Sequence, residues 1–263
     1  MNFSLQLTAL QFRVPDLARS LDFYAGRLGF ALVDRADHQA ELAASSHGAP
    51  ILTLSENAGA THAPRDAAGL FHAALRFPQR SALGGWLKFA AAHGIDFEGF
   101  SDHGVSEAIY LSDPEGNGLE FYADRPRESW PMSDGELAMT TRPLALQNLL
   151  AAAGPTTREP LAGADWGHLH LRVTDLERSE TFYREQLALE VMQRSYPGAR
   201  FLGADGYHHH LGLNTWGNPR QPQPPNALGL ATATFARAGL AMETELVDPD
   251  GIHVRVQPAL VAA

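Results

Sequence analysis

The chain has 263 residues, with 30 acidic against 20 basic side chains and a formal charge of −10, a balance that repels phosphate backbones and anionic membrane surfaces and argues against a nucleic acid partner. It contains no cysteine, so disulfides, thiol nucleophiles and thiolate ligands are excluded and any metal must be held through nitrogen and oxygen. The length suits one large domain or two ordinary ones. No basic region precedes an apolar stretch at the start and no run reaches the roughly 18 apolar residues of a membrane span, so a soluble cytoplasmic protein is expected.

Taken in chain order, residues 11–30 (QFRVPDLARSLDFYAGRLGF) predict a strand of alternating character and an Asp that caps the following helix, whose apolar positions are Leu17, Leu21, Tyr24 and Leu28. The next opening strand is LFHAALRFP (70–78), followed by the helical stretch SALGGWLKFAAAHG. SDPEGNGLEFY (112–122) then places a Pro and Gly turn ahead of a closing strand. Residues 125–164 hold Pro- and Gly-containing stretches around one short helix at LALQNLLAAA and read as a linker. Beyond it the first pattern recurs as HLRVTDLERSETFYREQLAL (170–189) and the turn recurs as VDPDGIHVRVQ (247–257), so the chain is internally repeated. The loop GNPRQPQPPNALG (217–229) is too Pro-rich for sheet or helix and is read as a mobile flap or a plain connector. The strand after it, LGLATATFA (228–236), is followed by hardly any helix.

Four units of strand, helix and about three strands result, over roughly 1–57, 68–124, 165–216 and 227–257, the last truncated. The fold class expected is α+β. The domains expected are residues 1–125 with two units, a linker over 126–164, and residues 165–263 with one full and one truncated unit. The shortened fourth unit leaves an apolar face that a second copy of the chain would cover, so a homo-oligomer is an open expectation.

On these units the chain resembles the vicinal-oxygen-chelate superfamily, which holds glyoxalases, bleomycin-resistance proteins and extradiol dioxygenases, and whose paired βαβββ units form half-barrels around a metal. The segments DHGVSEAIYLSDPEGNGLEFYADRPRESW (102–130) and YHHHLGLNTW (207–216) resemble more specifically its catechol-2,3-dioxygenase-like branch. That resemblance implies metal ligands early in a unit's first strand and in its last strand after the DPxG turn. His72 and His168 stand in the first-strand slot, where the other units have Ala9 and Thr232, and Glu120 stands in the last-strand slot, where the fourth unit has Arg255. His72, Glu120 and His168 thus make a two-histidine, one-carboxylate set suited to Fe(II), with Mn(II) equally compatible. The set requires the second unit to close against the third rather than against the first.

The same resemblance implies an acid/base histidine at His209, with His210 as its rival. It also implies a substrate-contacting Tyr110 and a second active-site histidine, His103, beside Gly104. Strand alternation over 207–210 would send His209 to one face and His208 and His210 to the other. His170 shares the face of His168 and is either behind the site or outward. Asp113 and Gly116 are assigned to the turn. Asp102, Glu107 and Asn214 are left unassigned. His38, His47, His62, His93 and His253 fall in no repeated slot and are read as structural. The implied activity is extradiol cleavage of a small aromatic diol with O2. A glyoxalase-type isomerase or transferase, or a metal-free binding protein of the same fold, are the alternatives, because fold alone does not separate them.

Overall fold

The computed structural model describes residues 4–155 and 157–259. The first ten-residue strand, β1 (Leu5–Val14), buries Leu5, Leu7, Leu10, Phe12 and Val14 on one side. Its alternation slips by one residue at a bulge between Leu7 and Ala9, which keeps the apolar set facing inward. The chain continues as α1 (Leu17–Leu21), prolonged by a π-helical turn over Asp22–Arg27, then β2 (Ala31–Ala36), β3 (Gln39–Ala43) and β4 (Leu52–Glu56). Asp16 accepts from the Arg19 amide and opens the helix as expected, and Leu17, Leu21, Tyr24 and Leu28 are all buried.

The second unit comprises β5 (Gly69–Phe77), α2 (Arg80–Ala92), β6 (Gly99–Asp102), β7 (Ser106–Ser112) and β8 (Gly118–Asp124). The stretch after it holds the two-residue strands β9 (Met132–Ser133), β10 (Glu136–Leu137) and β11 (Arg142–Pro143) and the expected short helix, α3 (Leu146–Ala151). The third unit is β12 (Asp165–Arg172), α4 (Leu176–Leu187), β13 (Glu190–Gln193), β14 (Ala199–Gly203) and β15 (Leu211–Asn214). The chain closes with β16 (Gly229–Arg237), β17 (Thr244–Val247) and β18 (His253–Pro258), with no helix between β16 and β17.

These strands form two curled half-barrel sheets that cut across the order of the sequence. One runs β17-β18-β16-β1-β4-β3-β2 and the other β11-β6-β7-β8-β5-β12-β15-β14-β13. The second unit therefore pairs with the third through the antiparallel seam β5–β12, and the first with the fourth through β1–β16. A continuous apolar core connects the sheets, with Trp86 stacked on Phe121 at 3.9 Å between ring centroids.

A second kind of link ties each sequence half together. Asp113 receives the amides of Glu115 and Asn117 and so wraps the DPEG turn, and it also receives the Tyr24 hydroxyl at 2.9 Å from the first unit's helical segment. Asp248 repeats this arrangement with the amides of Asp250 and Ile252 and with Tyr183 of α4 at 2.8 Å. Tyr183→Phe leaves a buried carboxylate one donor short and is expected to cost about 1–2 kcal/mol in urea unfolding. An unchanged midpoint would show that this link carries no stability.

The Pro-rich loop 217–229 is a connector and not a flap. It lies along residues 57–68 through backbone bonds such as Arg220 N–H to Asp66 at 2.7 Å and Ala68 N–H to Gln221 at 2.8 Å. Among the described residues no helix is long and apolar enough to cross a membrane.

Candidate metal centre

The site follows from register across three neighbouring strands. On β12, β5 and β8, His168 pairs with Ala74 and Ala74 pairs with Glu120, while in the next row inward-facing His170 pairs with His72 and His72 with Gly118. Side chains two residues apart share a face, so His72, Glu120, His168 and His170 converge on one floor. Small residues fill the remaining positions of the two rows. These are Ala74 and Gly118, where a Cβ at Gly118 would lie 2.2 Å from the Phe71 carbonyl oxygen; beside the rows, a Cβ at Gly167 would lie 1.8 Å from the Tyr122 hydroxyl. Only glycine permits those approaches.

One ligand atom each from His72, Glu120 and His168 lies within 4.8 Å of the other two, and all three residues are buried. Glu120 Oε2 is 2.9 Å from His72 Nε2 and 3.4 Å from His168 Nε2, yet His72 Nε2 makes no hydrogen bond of sound geometry. A buried imidazole nitrogen and a buried carboxylate left in this relation have the donor chemistry of a divalent metal site, so the residues fit the group. Burial opposes ionisation of Glu120, but the two neighbouring imidazoles hold its carboxyl well below the usual range. Burial also lowers His168 to about 4, which keeps its ring neutral and available as a ligand at neutral pH. The corresponding row of the other seam, Ala9, Thr234 and Arg255, with Thr232 beside it, carries no such donors.

The floor opens into a cavity of about 400 Å³ lined also by Tyr110, His103 and His209. His103 Nδ1 lies 2.7 Å from the Thr140 carbonyl oxygen, which only accepts, so this nitrogen carries the proton. Nε2 of a neutral ring then accepts from the Tyr110 hydroxyl at 2.7 Å. Burial, reinforced by Glu120, pushes the Tyr110 phenol well above its ordinary value, so it remains a donor. Gly104, at φ 78°, turns the chain so that the His103 side chain reaches this position.

The three consecutive histidines divide. They form no strand, so alternation is not the cause, but His209 alone of the three lines the cavity. His208 is buried behind it and bonds Asp124 Oδ1 through Nε2 at 2.8 Å and His209 Nδ1 through Nδ1 at 2.7 Å. His210 turns away, its Nδ1 receiving the Ala204 amide at 3.2 Å. Burial raises the Asp124 carboxyl, but His208 outweighs that and the net shift is downward, so Asp124 is ionised. An ionised Asp124 only accepts, so His208 donates to it from Nε2; with that single proton on the ring, His208 Nδ1 would accept from His209 Nδ1 and leave the lone pair of His209 on Nε2.

His170 faces the cavity as well, 4.9 Å from His72 between ring centroids, with Nε2 buried and without a hydrogen-bond partner. Met139, Thr140 and Thr141, from the stretch read as a linker, complete part of the wall. Composition gave no sign of them, because their place depends on the β11–β6 pairing. Glu107 lies outside the floor and is held by Arg80 and Arg125, while Asp102 pairs with Arg125 and accepts from the Gly104 amide. Asn214 accepts from the Trp216 amide. None of His38, His47, His62, His93 and His253 lines the cavity.

Four of the buried histidines have depressed pKa values, chiefly through burial: His168 to about 4, His210 to about 3, and His170 and His209 downward. The unfolded chain binds protons at these rings from about 6.5 downward while the folded chain does not, so stability is full above that pH and falls between about 6.5 and 4. His168 alone accounts for roughly 3 kcal/mol of this loss. The urea midpoint of metal-free protein is expected to drop between pH 7.5 and pH 5, and a flat midpoint would mean that the rings are not held neutral.

The chain matches the Glyoxalase/Bleomycin resistance protein/Dioxygenase superfamily over residues 6–121 and 166–256, and it belongs to that superfamily. It is 43% identical over 223 residues to the catechol-2,3-dioxygenase of Bacillus subtilis (strain 168), covering 82% of this chain and 77% of that one. Among solved structures it is similar to a Bacillus subtilis protein carrying a provisional dioxygenase description, with a TM-score of 0.62, 13% identity and coverage of 96% and 84%. It is also similar to glyoxalase I from Zea mays, with a TM-score of 0.58, 17% identity and coverage of 97% and 92%. At those identities the two structures speak for the fold alone.

Proposed function

We propose that this protein is an extradiol ring-cleaving dioxygenase that acts with O2 on a catechol-like diol, with Fe(II) held by His72, Glu120 and His168. The observation that carries the reading is the convergence of these three donors on the floor of a cavity that the His209 imidazole also lines. The name of the 43% identical relative supports the same chemistry. With this reading goes a division of the chain into repeated halves at 1–125 and 165–263, joined through 126–164.

Fe(II) in a two-histidine, one-carboxylate site keeps positions open for the diol and O2 and supplies the electron path between them. Mn(II) would take the same ligands. The remaining work falls to the protein. His209 Nε2, kept unprotonated by burial, takes a hydroxyl proton from the diol as it binds. His208 and Asp124 position that ring and stabilise the proton once it has arrived. Tyr110, set by His103, donates a hydrogen bond to oxygen charge on the substrate. The surrounding aromatic side chains exclude water, which strengthens each of these interactions.

An isomerase of the same superfamily would use a fourth protein ligand, and the floor offers one carboxylate only, Glu120. The test is oxygen consumption by protein loaded anaerobically with Fe(II) and given catechol, with His168→Ala alongside and absorbance followed for a yellow ring-opened product. Uptake that vanishes in the variant is expected, whereas iron bound without uptake would sink the reading.

A further inference from the structure

The cavity is strongly asymmetric. Beside the metal-ligand floor, against His170, stands a continuous aromatic wall: Phe71 meets Trp216 at 5.3 Å between centroids, Trp216 meets Tyr196 at 6.0 Å and Tyr196 meets Phe201 at 5.7 Å. Met139 and Val105 extend it as apolar surface. At about 400 Å³ the space lies in the range of sites that bury whole drug-sized ligands, larger than a bare dihydroxybenzene needs once two hydroxyls are fixed at the floor. The charge around it is equally one-sided. Among the described residues no arginine or lysine lines the cavity, and the carboxylates that do are Glu120 at the floor and the exposed Glu98.

A substituent on the His170 side of the cavity therefore meets apolar rings. If it carried a carboxylate, that group would lose water without gaining a cationic partner, and Glu98 and the overall charge of −10 would repel it. We infer that the cavity selects catechols whose ring substituent is uncharged and apolar, such as alkyl, halogen or aryl, and rejects those bearing a carboxylate. The inference rests on the dioxygenase reading for the catechol head and on the wall for the substituent.

Two measurements on the full chain separate those supports. With Fe(II)-loaded protein, kcat/KM for 4-ethylcatechol is expected to exceed that for catechol by about 10-fold, from the added buried carbons. It is expected to exceed that for 3,4-dihydroxybenzoate by about 100-fold, from the uncompensated charge. With Zn(II)-loaded protein, which binds the diol without turning it over, quenching of tryptophan fluorescence should give the same order of affinities, because Trp216 lines the cavity. Phe71→Ala should narrow the ethyl-to-unsubstituted ratio, and Glu98→Arg should narrow the ethyl-to-carboxylate ratio. Turnover and binding that favour the carboxylated ring, or do not distinguish the two, would overturn the substituent class and leave the dioxygenase reading intact. Absence of turnover on every diol, with the fluorescence order as expected, would overturn the dioxygenase reading and leave the selectivity of the cavity standing.

Discussion

Glu120→Ala is expected to abolish oxygen uptake to below roughly a thousandth of the parent rate and to lower iron content after gel filtration to a small fraction of one equivalent, because the only carboxylate of the floor is removed. The variant should nevertheless fold. The residue is buried between two imidazoles on a strand whose ladder bonds run through the backbone, so alanine removes a charge and leaves the pairing of β8 with β5 and β7 in place. In metal-free protein its urea midpoint should stay close to the parent value at pH 7.5, because the ladder bonds of β8 are unchanged. Full retention of iron with a lost activity would mean that the metal is held elsewhere and that Glu120 acts on the substrate instead.

Replacing His209 should separate chemistry from metal binding. His209→Ala is expected to keep one equivalent of iron and to bind 4-ethylcatechol within a few-fold of the parent, while kcat falls by about 10²- to 10⁴-fold, the usual worth of a positioned proton acceptor. Asp124→Asn acts one step further back. The carboxylate that holds the Nε2 proton of His208 is replaced by an amide, so the tautomer of His208, and through it that of His209, is no longer dictated. A loss of roughly 10- to 100-fold in kcat is expected, with a displaced acid limb of the pH–rate profile. Asp124 also receives the Tyr207 hydroxyl at 3.0 Å, so its unfolding midpoint must be measured beside the kinetics. If His209→Ala retained most of its kcat, the base would have to be sought at His170, which faces the cavity with an unpartnered nitrogen and is not among the three proposed ligands.

The aromatic wall also packs against the cavity histidines. Phe201 touches His209 at 5.0 Å between centroids and His170 at 5.7 Å, so in the proposed reaction the surface that would receive the substituent also limits the motion of those rings. A change at Phe201 is therefore a poor probe of substituent selectivity. Phe71 meets His72 and His170 at 5.3 Å, so Phe71→Ala is read as a ratio between two substrates with its iron content measured alongside, and Glu98 serves for the carboxylate.

Much of this protein is legible in its sequence. The recurrence of the first twenty-residue pattern and of the DPxG turn defined strand and helix order, since both are local signals: a capping Asp, a helical run of apolar positions, and an Asp that gathers turn amides. His72, Glu120 and His168 stood out because repeated slots elsewhere hold Ala9, Thr232 and Arg255. The tertiary structure alone decided which units meet. Pairing of β5 with β12 joins residues about a hundred positions apart, and nothing in either strand specifies its partner, because backbone ladder bonds are the same for every sequence. It alone decided among His208, His209 and His210, since these residues lie in a turn where period two has no meaning. It also brought Met139, Thr140 and Thr141 to the cavity from a stretch whose composition speaks only of a connector. The sequence determined what each unit is and which donors it carries, because those follow from neighbours along the chain, whereas the cavity arose from contacts between segments far apart in it.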